Sequence, residues 1–224
     1  MVEAGEGEEN EVLMEERGGA EAAQDAARAL IGEKSLFAMF FMSGFSALIY
    51  QIVWQRALFT IYGTNSESIA VVVAVFMLGL GLGSLLGGEL SRREIASPVK
   101  LFAMAEAGIG LFGLASLPLF GWLGVVTAGV GIATAGVIAF VVLLFPTLLM
   151  GATLPLLVGH LVKLDPNVGV VVGDLYYVNT LGSAVSCVLA ALLLFSLLGM
   201  VGIVVVAALI NIGVAVYAFM KWSR

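Results

Sequence analysis

Few residues of this chain place polar chemistry against an apolar background, and the clearest are Gln51, Gln55, Glu106 and Asn179. An unpartnered amide or carboxylate is expensive inside lipid, so such residues mark either a pathway or a hydrogen-bonded interior. Glu106 stands about two helical turns, or ~12 Å, inside an apolar run. It reads equally as a proton or cation site and as a hydrogen-bonded structural acid. Gln51 and Gln55 recur at helical spacing on one face, where amides bond across to other helices. Asn179 enters an apolar run beside Tyr176, Tyr177 and Thr180. These four residues are the candidate lining of a polar cavity.

Other chemistries find no residues to carry them. His160 is the single histidine and Cys187 the single cysteine. An intramolecular disulfide and a CxxC metal site are therefore excluded, and no metal or cofactor is expected. Cys187 reads as a small buried hydrophobe. GLGLGS at 79–84 superficially matches a dinucleotide-binding loop, but that motif follows a strand and opens a soluble helix. Here it falls in the middle of an apolar run. Neither a Ser/His/Asp set nor a pair of catalytic carboxylates can be assembled, so a self-contained enzyme is not expected.

The elements that position these residues follow from composition. Hydrophobic residues make up 61% of the chain and charged ones 12%, against about a quarter charged in an ordinary soluble domain. Mean hydropathy is +1.09. An all-α integral membrane protein is expected, with the lipid bilayer as its first partner and no nucleic acid. A crossing takes roughly 20 apolar residues, and the chain offers six stretches: about 36–59, 68–90, 98–120, a long region within 122–162, 175–197 and 201–220. The fourth is read as one crossing, an interfacial segment near 121–131 leading into a helix kinked at Pro146. A loop over 160–174 and a tight turn at Gly199 separate the last three. Gly79, Gly83 and Gly87 recur at helical spacing in the second stretch, a packing face that lets a neighbouring backbone approach closely.

Charge sets orientation. With six spans, Arg17, Arg28, Lys34, Arg92, Arg93, Lys100, Lys163, Lys221 and Arg224 share one side, while Arg56 alone occupies the other. Basic loops stay on the cytoplasmic side, so both termini are expected there, in the cytoplasmic (inner) membrane. Residues 1–34 form an acidic cytoplasmic arm, disordered or partly helical, that carries Glu3, Glu6, Glu8, Glu9, Glu11, Glu15, Glu16, Glu21, Asp25 and Glu33. Residues 35–224 form the six-helix transmembrane domain.

SGFSALIYQIVWQRAL at 43–58, VFMLGLGLGS at 75–84, PTLLMGATLPLL at 146–157 and DLYYVNTLGSAVS at 174–186 carry a family likeness. They resemble the amino-terminal membrane region of the fused major-facilitator-like/spermidine synthase proteins. The likeness covers about residues 36–200. It implies half of a major facilitator fold, two inverted three-helix units made of spans 1–3 and 4–6, with the glycine-rich segments of spans 2 and 5 as counterparts. In that family a cytoplasmic aminopropyltransferase-like domain follows the membrane region, and this chain stops before it, so no catalytic residue is carried over. The leading expectation is a noncatalytic module that anchors or organises other membrane or cytoplasmic subunits. The alternative is a half-size transporter of polyamine or another small solute, working as a dimer.

Overall fold

The computed structural model describes residues 34–60, 65–93, 96–164 and 167–222. Among these residues the chain is helical, without a strand. Five helices are long and apolar enough to cross a membrane. They are α1 (Lys34–Thr60), α2 (Asn65–Arg92), α3 (Pro98–Val126), α4 (Ile132–Leu161) and a final stretch, Val168–Trp222. That stretch is divided into α5 (Val168–Leu189), a π-helical segment (Ala190–Leu194) and α6 (Phe195–Trp222). The backbone of Gly199, at φ 62° and ψ −176°, is not helical. The chain falls into two units, Met1–Ala38 and Met39–Arg224. Of the first, residues 34–38 are described and form the opening of α1. The expected acidic arm otherwise lies outside the described residues. The helix bundle is the second unit.

Local chemistry explains the helix ends. Pro98 opens α3 in the first turn, where its missing N–H is no loss. Asn167 caps α5 by accepting from the Val170 N–H at 3.3 Å. Glu67 in the first turn of α2 and Arg92 in its last oppose the helix dipole. Pro146 and Pro155 both lie inside α4, which membrane helices tolerate when neighbours surround the freed backbone groups.

Two boundaries and the burial of one residue differ from the expectation. The segment from Gly121 to Val126 continues α3 instead of leading into the fourth helix, because nothing polar interrupts the run before Thr127. The chain turns instead at 127–131, where Gly129 takes a φ of 93° and the Thr127 hydroxyl bonds back to the Leu123 carbonyl at 2.7 Å. The loop expected over 160–174 is shorter, since α4 runs to Leu161 and the Asn167 cap starts α5 at Val168. Cys187 is exposed rather than buried, because Gly182 and Ser186 occupy the inward face of that helix.

The helices meet in constant register. Ser43 reaches Glu106 and Tyr50 lies against Gly113, so α1 and α3 run parallel. The Asn179 amide donates to the Phe40 carbonyl and Ser183 donates to the Gly44 carbonyl, both across 139 residues of chain, so α1 and α5 are also parallel. Arg56 over the Phe195 ring, 4.0 Å from its centroid, continues that register to the far end of α1. Gly79 against Thr147, Gly83 against Gly151, Gly87 against Pro155 and Ser91 against Gly159 make α2 and α4 a third parallel pair. By contrast α6 is antiparallel to α3. Gly110 abuts Ala208, while Ala103 and Ala107, earlier on α3, border an apolar groove with Ala215 and Phe219, later on α6.

The core between these seams is aromatic. Trp54 is fully buried, stacked on Tyr50 at 5.2 Å and edge-on to Phe112 and Phe120 at 5.5 and 6.4 Å. Edge-on contacts set each ring's positive rim on its neighbour's negative face.

Candidate functional site

Glu106 is completely buried, and both of its oxygens are engaged. Ser43 Oγ donates to Oε1 at 2.5 Å and Asn211 Nδ2 donates to Oε2 at 2.5 Å. The Asn211 amide oxygen accepts in turn from the Tyr50 hydroxyl at 3.2 Å. Three helices therefore converge on one carboxylate, with α1 supplying Ser43 and Tyr50 and α6 supplying Asn211. A buried network of this kind is favourable only when every member is satisfied, as these are. Helix register decides the membership. Ser43 and Tyr50 face α3, whereas Gly110, next to Glu106 on the α3 surface, lets Asn211 approach.

Ser43 also borders a cleft of about 410 Å³ between α1, α2, α4 and α5. Gln51, Thr153, Tyr176, Asn179 and Ser183 bring polar groups to it, and Phe40, Phe76 and Met150 supply apolar wall. Its size falls in the range of small-molecule sites, and its few polar groups among apolar walls match their usual chemistry. Two of its hydroxyls, those of Thr153 and Ser183, direct their hydrogens at protein carbonyls. Thr153 donates to the Met150 carbonyl at 2.7 Å, and Ser183 to the Gly44 or Asn179 carbonyl at 3.0 or 3.1 Å.

The structure thus separates the candidate residues into two groups. Gln51 and Asn179 line the cleft, and Glu106 lies behind its Ser43 wall. Gln55, one turn beyond Gln51, is not part of the lining and is half-buried. Neither glutamine nor Asn179 bonds Glu106, because they occupy a face of α1, or a helix, that does not point at α3. Gly79, Gly83 and Gly87 are buried against α4, where the Thr147 side chain, the Leu148 carbonyl and the Ala152 backbone fill the space a side chain would need.

Two network members, Ser43 and Asn211, are missing from the candidates read off the sequence. Serine is common in packed membrane helices, but Asn211 is the one amide in the apolar run 201–220 and was findable by the criterion that marks Glu106. Comparison with protein-family models, curated proteins and solved structures returns no match to this chain.

Proposed function

We propose that this chain is a membrane module of six crossings that binds a small polar solute in the cleft between α1, α2, α4 and α5, as half of a transporter completed by a second copy. The cleft carries the proposal: polar groups gathered around an open space are costly in an apolar bundle unless something polar occupies them.

Register supports the sixth crossing. Because α1 is parallel to both α3 and α5, and α6 beyond its first turn is antiparallel to α3, the chain in this reading reverses near the start of α6, at Gly199. A straight helix over Val168–Trp222 would be about 80 Å long, against a hydrocarbon core of about 30 Å. The edge-on contact of His160 at the end of α4 with Trp222 at the end of α6 fits the same reversal.

Register also supports two inverted units resembling half of a major facilitator fold. Exchange of helices 1–3 with 4–6 converts the α1·α5 pair into the α4·α2 pair, and both are parallel seams of small residues. It converts α3·α6 into itself, which requires the antiparallel arrangement found. In this reading Arg92, Arg93, Lys163 and Lys221 gather at one membrane face with Arg56 at the other, so both termini are cytoplasmic. The anchoring of a separate subunit rests on the sequence resemblance, and the cleft gives solute binding precedence.

The test is reconstitution of the whole chain in liposomes with a panel of amines, amino acids, sugars and nucleosides. Uptake of one class above empty vesicles, reduced severalfold by Gln51→Leu, is the expected result. A bundle that moves and binds none of them, yet copurifies in mild detergent with a stoichiometric enzyme subunit, replaces this reading with the anchor.

A further inference from the structure

Among the described residues, Ser43 alone both borders the cleft and bonds Glu106 through its side chain. A serine hydroxyl owns one hydrogen and two lone pairs. When Glu106 is ionised it can only accept, so Ser43 turns its hydrogen inward and shows lone pairs to the cleft. When Glu106 carries a proton, the same 2.5 Å contact holds with roles reversed, and the Ser43 hydrogen is free to point into the cleft. The Asn211 amide accommodates either state, since it needs one accepting oxygen from the carboxyl group in each. No heavy atom has to move.

From this geometry we infer that Glu106 is a proton-binding site addressed from the cleft through Ser43, and that the cleft takes a solute bearing N–H or O–H donors, a cation above all, in exchange for that proton. The inference rests on the solute-binding reading for its second half only. In the transfer step a donor in the cleft gives a proton to a Ser43 lone pair while the original Ser43 hydrogen passes to Glu106 Oε1. One O–H bond forms and one breaks at Ser43, the carboxylate becomes a carboxylic acid, and the cleft donor loses one proton.

Several of the cleft's donors are turned away from it in the ionised state, while Gln51, Ser84 and Tyr176 bring groups that can either donate or accept. The hydrogens of Ser43, Thr153 and Ser183 are all directed at protein oxygens, and the Asn179 amide N–H is engaged by the Phe40 carbonyl. Among the described residues no Lys or Arg borders the space. The negative charge behind Ser43 adds a preference for a cation, strengthened by the low polarity of the surroundings. Around Glu106 the titratable neighbour is Tyr50 on α1, joined through Asn211 on α6. The side chain that α4 sends to this part of α3 is the apolar Leu149, against Gly108.

Infrared difference spectroscopy of the reconstituted chain tests both halves. Acidification should raise a carboxylic C=O band that shifts on ¹³C-glutamate labelling and vanishes in Glu106→Gln. Ser43→Ala should slow its appearance severalfold, and so should a bulky maleimide on Gly81→Cys in a Cys187→Ser background, because Gly81 opens onto the cleft with nothing against it. Ethylammonium should erase the band at constant pH, whereas tetramethylammonium, equally charged but without donors, should not. A band that survives in Glu106→Gln, or none at all in the labelled wild type, overturns the proton site. Unchanged kinetics in both Ser43→Ala and the blocked cleft overturn the route. Equal action of the two ammonium ions overturns the solute class, and loss of any probe effect with the band intact rejects solute binding while the proton site stands.

Discussion

At the scale of single residues, the buried carboxylate is the point at which function and stability meet. Glu106→Leu strips Ser43 and Asn211 of their shared acceptor. The serine can turn to a backbone carbonyl in its own helix, but the Asn211 amide is left facing apolar wall. Unsatisfied buried donors cost about 1–3 kcal/mol each, so thermal unfolding in detergent should show a loss in that range. Glu106→Gln keeps an oxygen for Asn211 and should lose less. Tyr50→Phe leaves one acceptor unpaired and removes one neutral hydrogen bond, about 1 kcal/mol by the same reasoning. Equal stability of Glu106→Leu and wild type would remove the network from any account of the fold. Glu106 was legible in the sequence because it is an acid in an apolar run. Its partners were not, since Ser43 and Asn211 lie 63 and 105 residues away and only the helix packing says which faces meet.

Among elements, the α2·α4 seam sets the sharpest contrast. Gly83 touches the Leu148 carbonyl and Gly151 Cα, while Gly81, two residues earlier, has open space before it. Gly83→Leu should therefore force the helices apart, at about 1–3 kcal/mol or more, with lower yield and a lower melting temperature. Gly81→Leu should melt like wild type, and a reversal of that order would refute the seam. The two-residue offset moves a substitution to another side of the helix, so the four-residue glycine spacing already singles out the packing face. It does not name the partner. The end of α3 was illegible for a related reason: the chain has 28 glycines, and nothing local distinguishes Gly129, with its positive φ, from the rest. Gly199 adopts a backbone region essentially reserved for glycine, and Gly199→Ala should cost about 1–3 kcal/mol in the same assay.

For the whole molecule, the six-crossing reading makes a prediction that five crossings cannot share. In a Cys187→Ser background, single cysteines at Ala128 and Leu198 should label from one side of the membrane and those at Leu164 and Trp222 from the other. Placement of Leu198 and Trp222 on opposite sides requires the reversal at Gly199, and placement on one side would reject it. The bias of basic residues supplies the orientation that this labelling tests, while the apolar runs made long apolar helices legible from sequence. The pairing of α1 with α5 and of α2 with α4 was not, because parallel helices separated by one or more intervening helices leave no local trace. Those pairings also restrict how the length of this chain can drift. One residue added within α5 between Ser183 and Leu189 would turn every later side chain by about 100°, and so detach either the Phe40 and Gly44 contacts or the Arg56 contact. Insertions and deletions should accordingly accumulate at 93–97, 127–131 and 162–167, where the joints absorb them, and be rare within the helices they connect.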